Sequence, residues 1–340
     1  MTLQHPIPAN GIAAPAAPAK AAEPGKLVRF GRYLRRHPSV AIGGGLLVLM
    51  ALIGLFAPLL GTVDPTAISP SRRTRVPSEL YWFGTDMLGR DIYSRVIYGA
   101  RVSLLVGFSV AVLASVAGLA IGLFAGFMRW ADGIVMRIID GWMSIPPILL
   151  AIALMALTRG SIGNVILAIT VAEIPRVARL VRGVVLSLRE QPYVEAAVAN
   201  GARAPRIIIR HILPNTFAPM SVQATYICAS AMIVEAILSF IGAGVPPSTP
   251  SWGNIMAEGR ALWQVRPHII LFPAVFLSIT VLAVNMLGDG LRDSLDPNNR
   301  KKALKVMLRP HINFAGGRLP APGAWLSKYR RYARFHDGDV

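Results

Sequence analysis

The sequence predicts an all-α membrane protein that crosses the bilayer six times with both termini on the same, inner side. Three observations carry that reading. Hydrophobic residues make up 54% of the 340 positions and charged residues only 15%, with a mean hydropathy of +0.51; a soluble domain of this size needs more polar surface. Uncharged runs recur, and the first, Val40–Val63, is long enough to cross a hydrocarbon layer of roughly 30 Å at about 1.5 Å per residue. Lys and Arg are also unevenly placed. With six crossings, 26 of the 35 fall in the inner segments, the bias that marks cytoplasmic loops.

Residues 1–37 form a leader. Its first 26 positions are rich in Ala and Pro, have no apolar core of signal-peptide length, and are expected to be disordered. Leu27–His37 is basic and suits a headgroup layer. The first span covers about residues 40–63, with Gly43, Gly44 and Gly45 near its start. An external loop, 64–101, follows; Tyr81, Trp82 and Phe83 are expected to anchor it at the interface, and it is expected to pack on the bundle. The second span, about 102–128, carries Gly107, Gly118, Gly122 and Gly126, and the last three make small-xxx-small pairs suited to close helix packing. Arg129–Arg137 is expected to be a short inner loop.

The third span, about 141–158, is expected to kink at Pro146-Pro147. The fourth, about 162–180, is interrupted by Glu173, Pro175 and Arg176, with Glu173 expected to pair with Arg176 or Arg179 on one face. An inner loop fills 187–214. The fifth span, about 217–243, contains Glu235. A turn-rich outer loop runs from Gly244 to Arg266, the sixth span covers about 267–288, and a basic tail occupies 291–340.

The chain is organised around Glu195–Pro214. Its pattern predicts two short helices with a bend between them. Asn200-Gly201 stops the first helix because Gly adopts the left-handed conformation. Pro205 suits the first turn of the second helix, and Pro214 marks a break or kink. Ala196, Ala197, Ala199, Gly201 and Ala202 allow another backbone to come close. Glu195 offers an acceptor, and Arg203, Arg206 and Arg210 form a basic flank. This is a shape for docking.

No catalytic set, metal-ligand spacing or cofactor motif is present in the sequence. His211 and His268 are isolated from other ligand types. No GxxxxGK[ST] run occurs, so ATP is not expected to bind this chain. Cys228 is the single cysteine and excludes an internal disulfide. No basic soluble face suggests nucleic acid. Glu235 is costly within a membrane unless paired or wetted. It is either a pathway or contact group, or a carboxyl satisfied by Ser230, Ser239 or a neighbouring helix. Asp140, near Ser144 at the start of the third span, is expected to pair locally with Arg137.

Glu195, Ala196, Ala197, Gly201, Leu213 and Pro214 fall in register with the EAA loop of ABC importer permeases, with His211 a departure from that pattern. The run Arg210-His211-Ile212-Leu213-Pro214-Asn215 resembles the variant used by dipeptide and oligopeptide permeases. Phe83-Gly84-Thr85-Asp86, Gly89-Arg90-Asp91, Ser94-Arg95, Tyr98-Gly99-Ala100-Arg101, Glu235 to Gly242 and Gly290-Leu291-Arg292-Asp293 resemble the same family.

The resemblance implies a C-type permease of the dipeptide/oligopeptide/nickel type with the type I importer fold, in the bacterial inner membrane. It implies a homologous second permease in a heterodimeric pore, two ABC ATPases that hold ATP and Mg, and a periplasmic or extracellular binding protein. It places ATPase coupling on Glu195, Ala196, Ala197, Gly201, Arg203, Arg206, Leu213 and Pro214. Glu235, Ser239, Asp140 and Ser144 become candidates for the pathway or the permease–permease contact. Peptide uptake is the expected function; nickel or another small solute, or a proton-driven transporter, are the alternatives.

Overall fold

A computed structural model describes residues 31, 33–35, 37–158 and 160–295; the leader through residue 30 and the tail after Leu295 lie outside them. Among the described residues, ten α-helices with defined bounds follow in order: α1 Pro38–Leu55, α2 Ile92–Phe127, α3 Arg129–Met143, α4 Pro147–Ala156, α5 Ile162–Arg189, α6 Pro192–Ala199, α7 Ala204–Ile207, α8 Leu213–Phe240, α9 Trp252–Gly259 and α10 His268–Leu295. The β structure among the described residues is one isolated bridge between Thr85 and Asp91.

Helices α2 and α5 meet at backbone distance. A Cβ on Gly122 would lie 2.6 Å from Val181 Cβ, and one on Gly126 would lie 2.8 Å from Val185 Cβ. Gly118 meets Val177 in the same way. Both series advance by four residues, so the two helices run parallel, and α3 and α4 must carry the chain back between them. The glycine spacing thus forms a seam, on which Val177, Val181 and Val185 are buried.

The remaining long helices pack antiparallel. Gly107 of α2 lies against Cys228 and Met232 of α8. Gly43 of α1 lies against Ala283 and Leu287 of α10, and Gly290 against Val40. The main core joins α2, α4, α5 and α8; a second cluster gathers Ile92, Val96 and Ala100 with Trp252, Ile255 and Ile269.

Several helices have bounds that differ from the sequence reading. Helix α1 ends at Leu55, where Arg101 donates to the Gly54 and Leu55 carbonyls at 2.5 and 3.1 Å. Helix α2 begins at Ile92, inside the expected external loop, because the Asp91 carboxylate accepts the Ser94 N–H at 2.8 Å and caps it. The expected inner loop at 129–137 is helical, as part of α3. Helices α3 and α4 bend by 81° around Ser144–Pro146, since Pro146 and Pro147 cannot continue the ladder. The ten residues of α4 reach only about 15 Å, so α3 and α4 would have to act together in one crossing. Helix α10 continues to Leu295.

Residues 38–55, 92–127, 204–240 and 268–295 are long and apolar enough to cross a membrane, and the α3–α4 pair makes a fifth such unit. Helix α5 carries Glu173, Arg176, Arg179 and Arg182 yet lies along α2 through the glycine seam.

Candidate functional site

The sequence-predicted docking stretch folds as α6, a bend, α7 and the start of α8. Pro192 starts α6, where its missing N–H costs nothing. The helix ends in a Schellman motif: Gly201 N–H donates to Val198 O at 2.9 Å and Ala202 N–H to Ala197 O at 3.0 Å. Gly201 has φ +74°, the left-handed region, and a Cβ there would meet nothing within 4 Å. Its requirement inside this chain is therefore conformational. Pro205 sits in the first turn of α7.

Residues Ile208–Ile212 then form a π-turn, closed by Leu213 N–H to Ile208 O. Pro214 accounts for it: proline crowds the carbonyl four residues back, and a wider turn relieves the clash. Pro214 thus widens the helix locally without breaking it.

This unit is held by its apolar underside. Val194, Ile207 and Ile212 are buried in the main core, with Ala197, Ala202 and Leu188 packed against it. Glu195, Ala196, Val198, Ala199, Arg203 and Arg206 are exposed, Leu213 is half-buried and Pro214 is exposed. A cavity of about 390 Å³ opens beside Glu195, lined also by Arg129, Asp132, Arg189 and Glu190. Arg182 closes a bidentate pair on Asp132, both bonds at 2.7 Å, and Arg189 donates to Gly126 O and Phe127 O at the end of α2.

The four candidate pathway residues do not form one site. Glu235 is fully enclosed. Ser239 Oγ donates to its Oε1 at 2.9 Å and Ser103 Oγ to its Oε2 at 3.4 Å, with the Ser251 hydroxyl alongside. Ser239 Oγ also accepts the Val245 N–H at 3.3 Å. Of the two serines proposed for Glu235, Ser239 is the partner; Ser230 instead donates to Glu173 at 3.3 Å.

Asp140 and Ser144 are exposed beside the α3–α4 bend. Asp140 accepts Arg179 Nη2 at 2.5 Å, so its partner is on α5 and not the expected Arg137. Ser144 is exposed and donates to Gly141 O at 2.6 Å. Glu173 pairs with Arg176, whose Nη1 lies 3.0 Å from Oε2 but off the line of a hydrogen bond.

A buried charge network joining residues 86–95 to α9 was not anticipated. Asp86 Oδ2 accepts Arg90 Nε at 2.7 Å and Arg95 Nη1 at 2.5 Å, and Asp86 Oδ1 accepts the backbone N–H of Leu88 and Arg90. Both arginines also bond Glu258 on α9. Burial pushes the Asp86 carboxyl up, but the Arg95 and Arg90 charges and the Arg90 hydrogen bonds outweigh it and hold it below the usual carboxylate range. The alternation of acids and arginines at 86, 90, 91 and 95 was its signal in the sequence. Nearby, Trp252 Nε1 donates to Val96 O at 3.0 Å. Of the expected aromatic anchors, Tyr81 is buried, Phe83 stacks on Phe272 and only Trp82 is exposed. The 64–91 segment therefore packs on the bundle.

Comparison with known proteins agrees with this architecture. The family described as binding-protein-dependent transport system inner membrane component matches residues 118–301, and the N-terminal TM domain of oligopeptide transport permease C matches residues 27–77. The chain is 54% identical over 271 residues to a probable peptide ABC transporter permease of Sinorhizobium fredii, covering 80% of this chain and 93% of that protein. It is 42% identical to a dipeptide transport system permease of Alkalihalophilus pseudofirmus, covering 78% and 88%. It is 41% identical to a glutathione transport system permease of Pectobacterium atrosepticum, covering 78% and 89%. The methionine ABC transporter MetNI, solved in inward-facing conformations, shares the fold at TM-score 0.50 and 22% identity, over 59% of this chain and 96% of that one. Sequence and architecture together make this multi-pass membrane protein a member of the binding-protein-dependent transport system inner membrane component family, the permease subunits of ABC importers.

Proposed function

We propose that this chain forms half of a heterodimeric pore for di- and oligopeptides in a bacterial inner membrane. Six crossings place both termini and residues 187–214 in the cytoplasm. A homologous permease completes the pore, a binding protein outside the membrane delivers the substrate, and two ATPases bind and hydrolyse ATP. Glu195, Ala196, Gly201, Arg203 and Arg206 present the docking face, Ala197 supports it from the core side, and Leu213 and Pro214 join it to α8. The relatives named for peptide, dipeptide and glutathione transport support short peptides as substrates.

The observation that carries this reading is the two-sided construction of residues 192–212. The outer face is open and sets Glu195, Arg203 and Arg206 among small residues and the exposed Tyr193, Val198 and Ile209; the inner face is anchored by Val194, Ile207 and Ile212 in the core shared by α2, α5 and α8. A displacement of the docking face is transmitted to those helices, since packed cores shift between discrete arrangements.

The test is uptake by the assembled transporter in proteoliposomes, with Ala199→Cys paired to cysteines on the ATPase in a Cys228→Ala background. ATP-driven uptake of a labelled dipeptide and a 199–ATPase cross-link are the expected results. Uptake that survives ATP depletion and collapses with a protonophore would overturn the reading.

A further inference from the structure

Arg176 occupies a position that lipid does not tolerate. Its neighbour Val177 packs on Gly118 of α2, nine residues before Phe127 at the end of that helix. At about 1.5 Å per residue, Arg176 therefore lies about 14 Å above the inner end of α2. A second ruler agrees. Glu173 meets Ser230, which is ten residues before the outer end of α8 at Phe240, or about 15 Å below it. Gly118 also lies close to the middle of the uncharged run 102–128, so with the six crossings proposed above the pair falls near the middle of the hydrocarbon layer.

The arginine does not snorkel. A mid-membrane Arg facing lipid would extend towards the nearer, inner interface. Arg176 instead turns back one helical turn to Glu173, towards the membrane centre, and its side chain remains 47% exposed on the protein surface. Glu173 is buried, and its Oε2 has no hydrogen-bond donor in line. One turn further out, the hydroxyl of Thr170 is also buried without a partner. Towards the inner side, the polar line continues to Arg179 and Asp140, both largely exposed at 47% and 61%. This face of α5 is polar from mid-depth to the α3–α4 bend.

We propose that this face is the wall of the translocation pathway and that Arg176 is a binding residue there for the substrate's carboxylate. This rests on the peptide-permease reading above. Glu173 holds the guanidinium at mid-depth and offsets its charge, so Arg176 keeps donors free for a passing anion without an uncompensated cation in the membrane. Arg offers a planar fork matched to carboxylate. Water and substrate, not acyl chains, cover the exposed side.

The test uses the assembled transporter in proteoliposomes with Cys228→Ala. Arg176→Cys is treated with an anionic, membrane-impermeant methanethiosulfonate, with Phe108→Cys, an exposed apolar position, as the lipid-facing control. Position 176 is expected to react at least tenfold faster than 108, and to be protected by saturating dipeptide. Equal slow reaction, or oxidation to a cross-link with the second permease, would overturn the assignment.

The charge is tested by uptake of a peptide with a free C-terminal carboxylate against its C-terminal amide. Arg176→Gln is expected to lower the carboxylate-to-amide uptake ratio at least tenfold, and Arg176→Lys to restore part of it. The Glu173→Gln, Arg176→Gln double variant removes both charges and is expected to keep the low ratio. An unchanged ratio, or equal loss for both peptides in every variant, would overturn the proposal. Rapid labelling of position 176 in a transporter that takes up no peptide would reject the peptide reading and leave the aqueous face standing.

Discussion

Arg95 Nη1 lies 2.5 Å from Asp86 Oδ2, and both side chains are closed off from solvent. Each charge depends on the other, because an unpaired ion at this burial has no water to turn to. Arg95→Met is expected to destabilise the protein by about 3 kcal/mol or more, the usual cost of breaking one side of a buried pair. Denaturant titration in detergent reads the loss. A change below about 1 kcal/mol, the scale of an exposed pair, would show that the network contributes no more than surface charges.

Acid should reach the same site. The Asp86 carboxyl is held low in the folded protein, so it binds fewer protons folded than unfolded. Its contribution is complete above the unfolded value of about 4 and is lost as pH falls through the lower folded value. Thermal unfolding followed downward from pH 5 should show this acid limb. Asp86→Asn should be less stable at pH 7 and have a flatter limb; an identical acid profile would remove Asp86 as its source.

The glycine seam between α2 and α5 gives a sharp contrast. Gly122→Leu would place Cβ 2.6 Å from Val181 Cβ and 2.7 Å from Ala178 O. Backbone cannot yield as a flexible side chain does, so loss of folded protein by size-exclusion in detergent is expected. Gly45→Ala, with nothing within 4 Å, should be neutral or slightly stabilising through helix propensity. Similar yields for both variants would contradict the close approach.

Gly201 separates two causes. A β-branched residue is strained at φ +74°, so Gly201→Val should lose both stability and peptide uptake. Asn tolerates the left-handed region, so Gly201→Asn should fold normally. If a partner needs the open space, Asn also lowers uptake at least severalfold while basal fold is kept. Wild-type uptake with Asn would assign the glycine to helix termination alone.

Glu235→Gln keeps one acceptor oxygen for a serine hydroxyl and turns the other position into an amide donor that the second hydroxyl, of Ser103 or Ser239, accepts by rotating. Uptake within about twofold of wild type, and stability within about 1 kcal/mol, are expected for a satisfied internal group. Glu235→Leu strands the surrounding hydroxyls and should cost about 2 kcal/mol. Collapsed uptake with Gln in a folded protein would give Glu235 a role in transport.

The long apolar runs made the major helices legible, and the Gly118–Gly122–Gly126 spacing pointed to close packing before its partner was known. Gly201 and Pro205 were readable because each has one strong local conformational preference. Helix ends were less legible: Asp91 caps α2 eleven residues before the apolar run begins at Val102, since a membrane protein's helices extend past the hydrocarbon and composition marks only the part inside it. Partners distant in sequence were hidden. Asp140 chose Arg179 over Arg137, and Ser230 chose Glu173 over Glu235, because a helix crossing brings together groups that spacing along one helix does not. The Asp86–Arg90–Arg95–Glu258 network spans the chain from residue 86 to 258 and becomes visible only when α9 folds back over α2.

The seam at Gly118, Gly122 and Gly126 also sets how stiffly the molecule responds to load. Long side chains between helices act as springs, taking up a push by changing rotamer. Where glycine meets valine there is almost no such slack, so α2 and α5 should travel as one beam, carrying force applied near Val194 across the thickness of the membrane with little lost to local give.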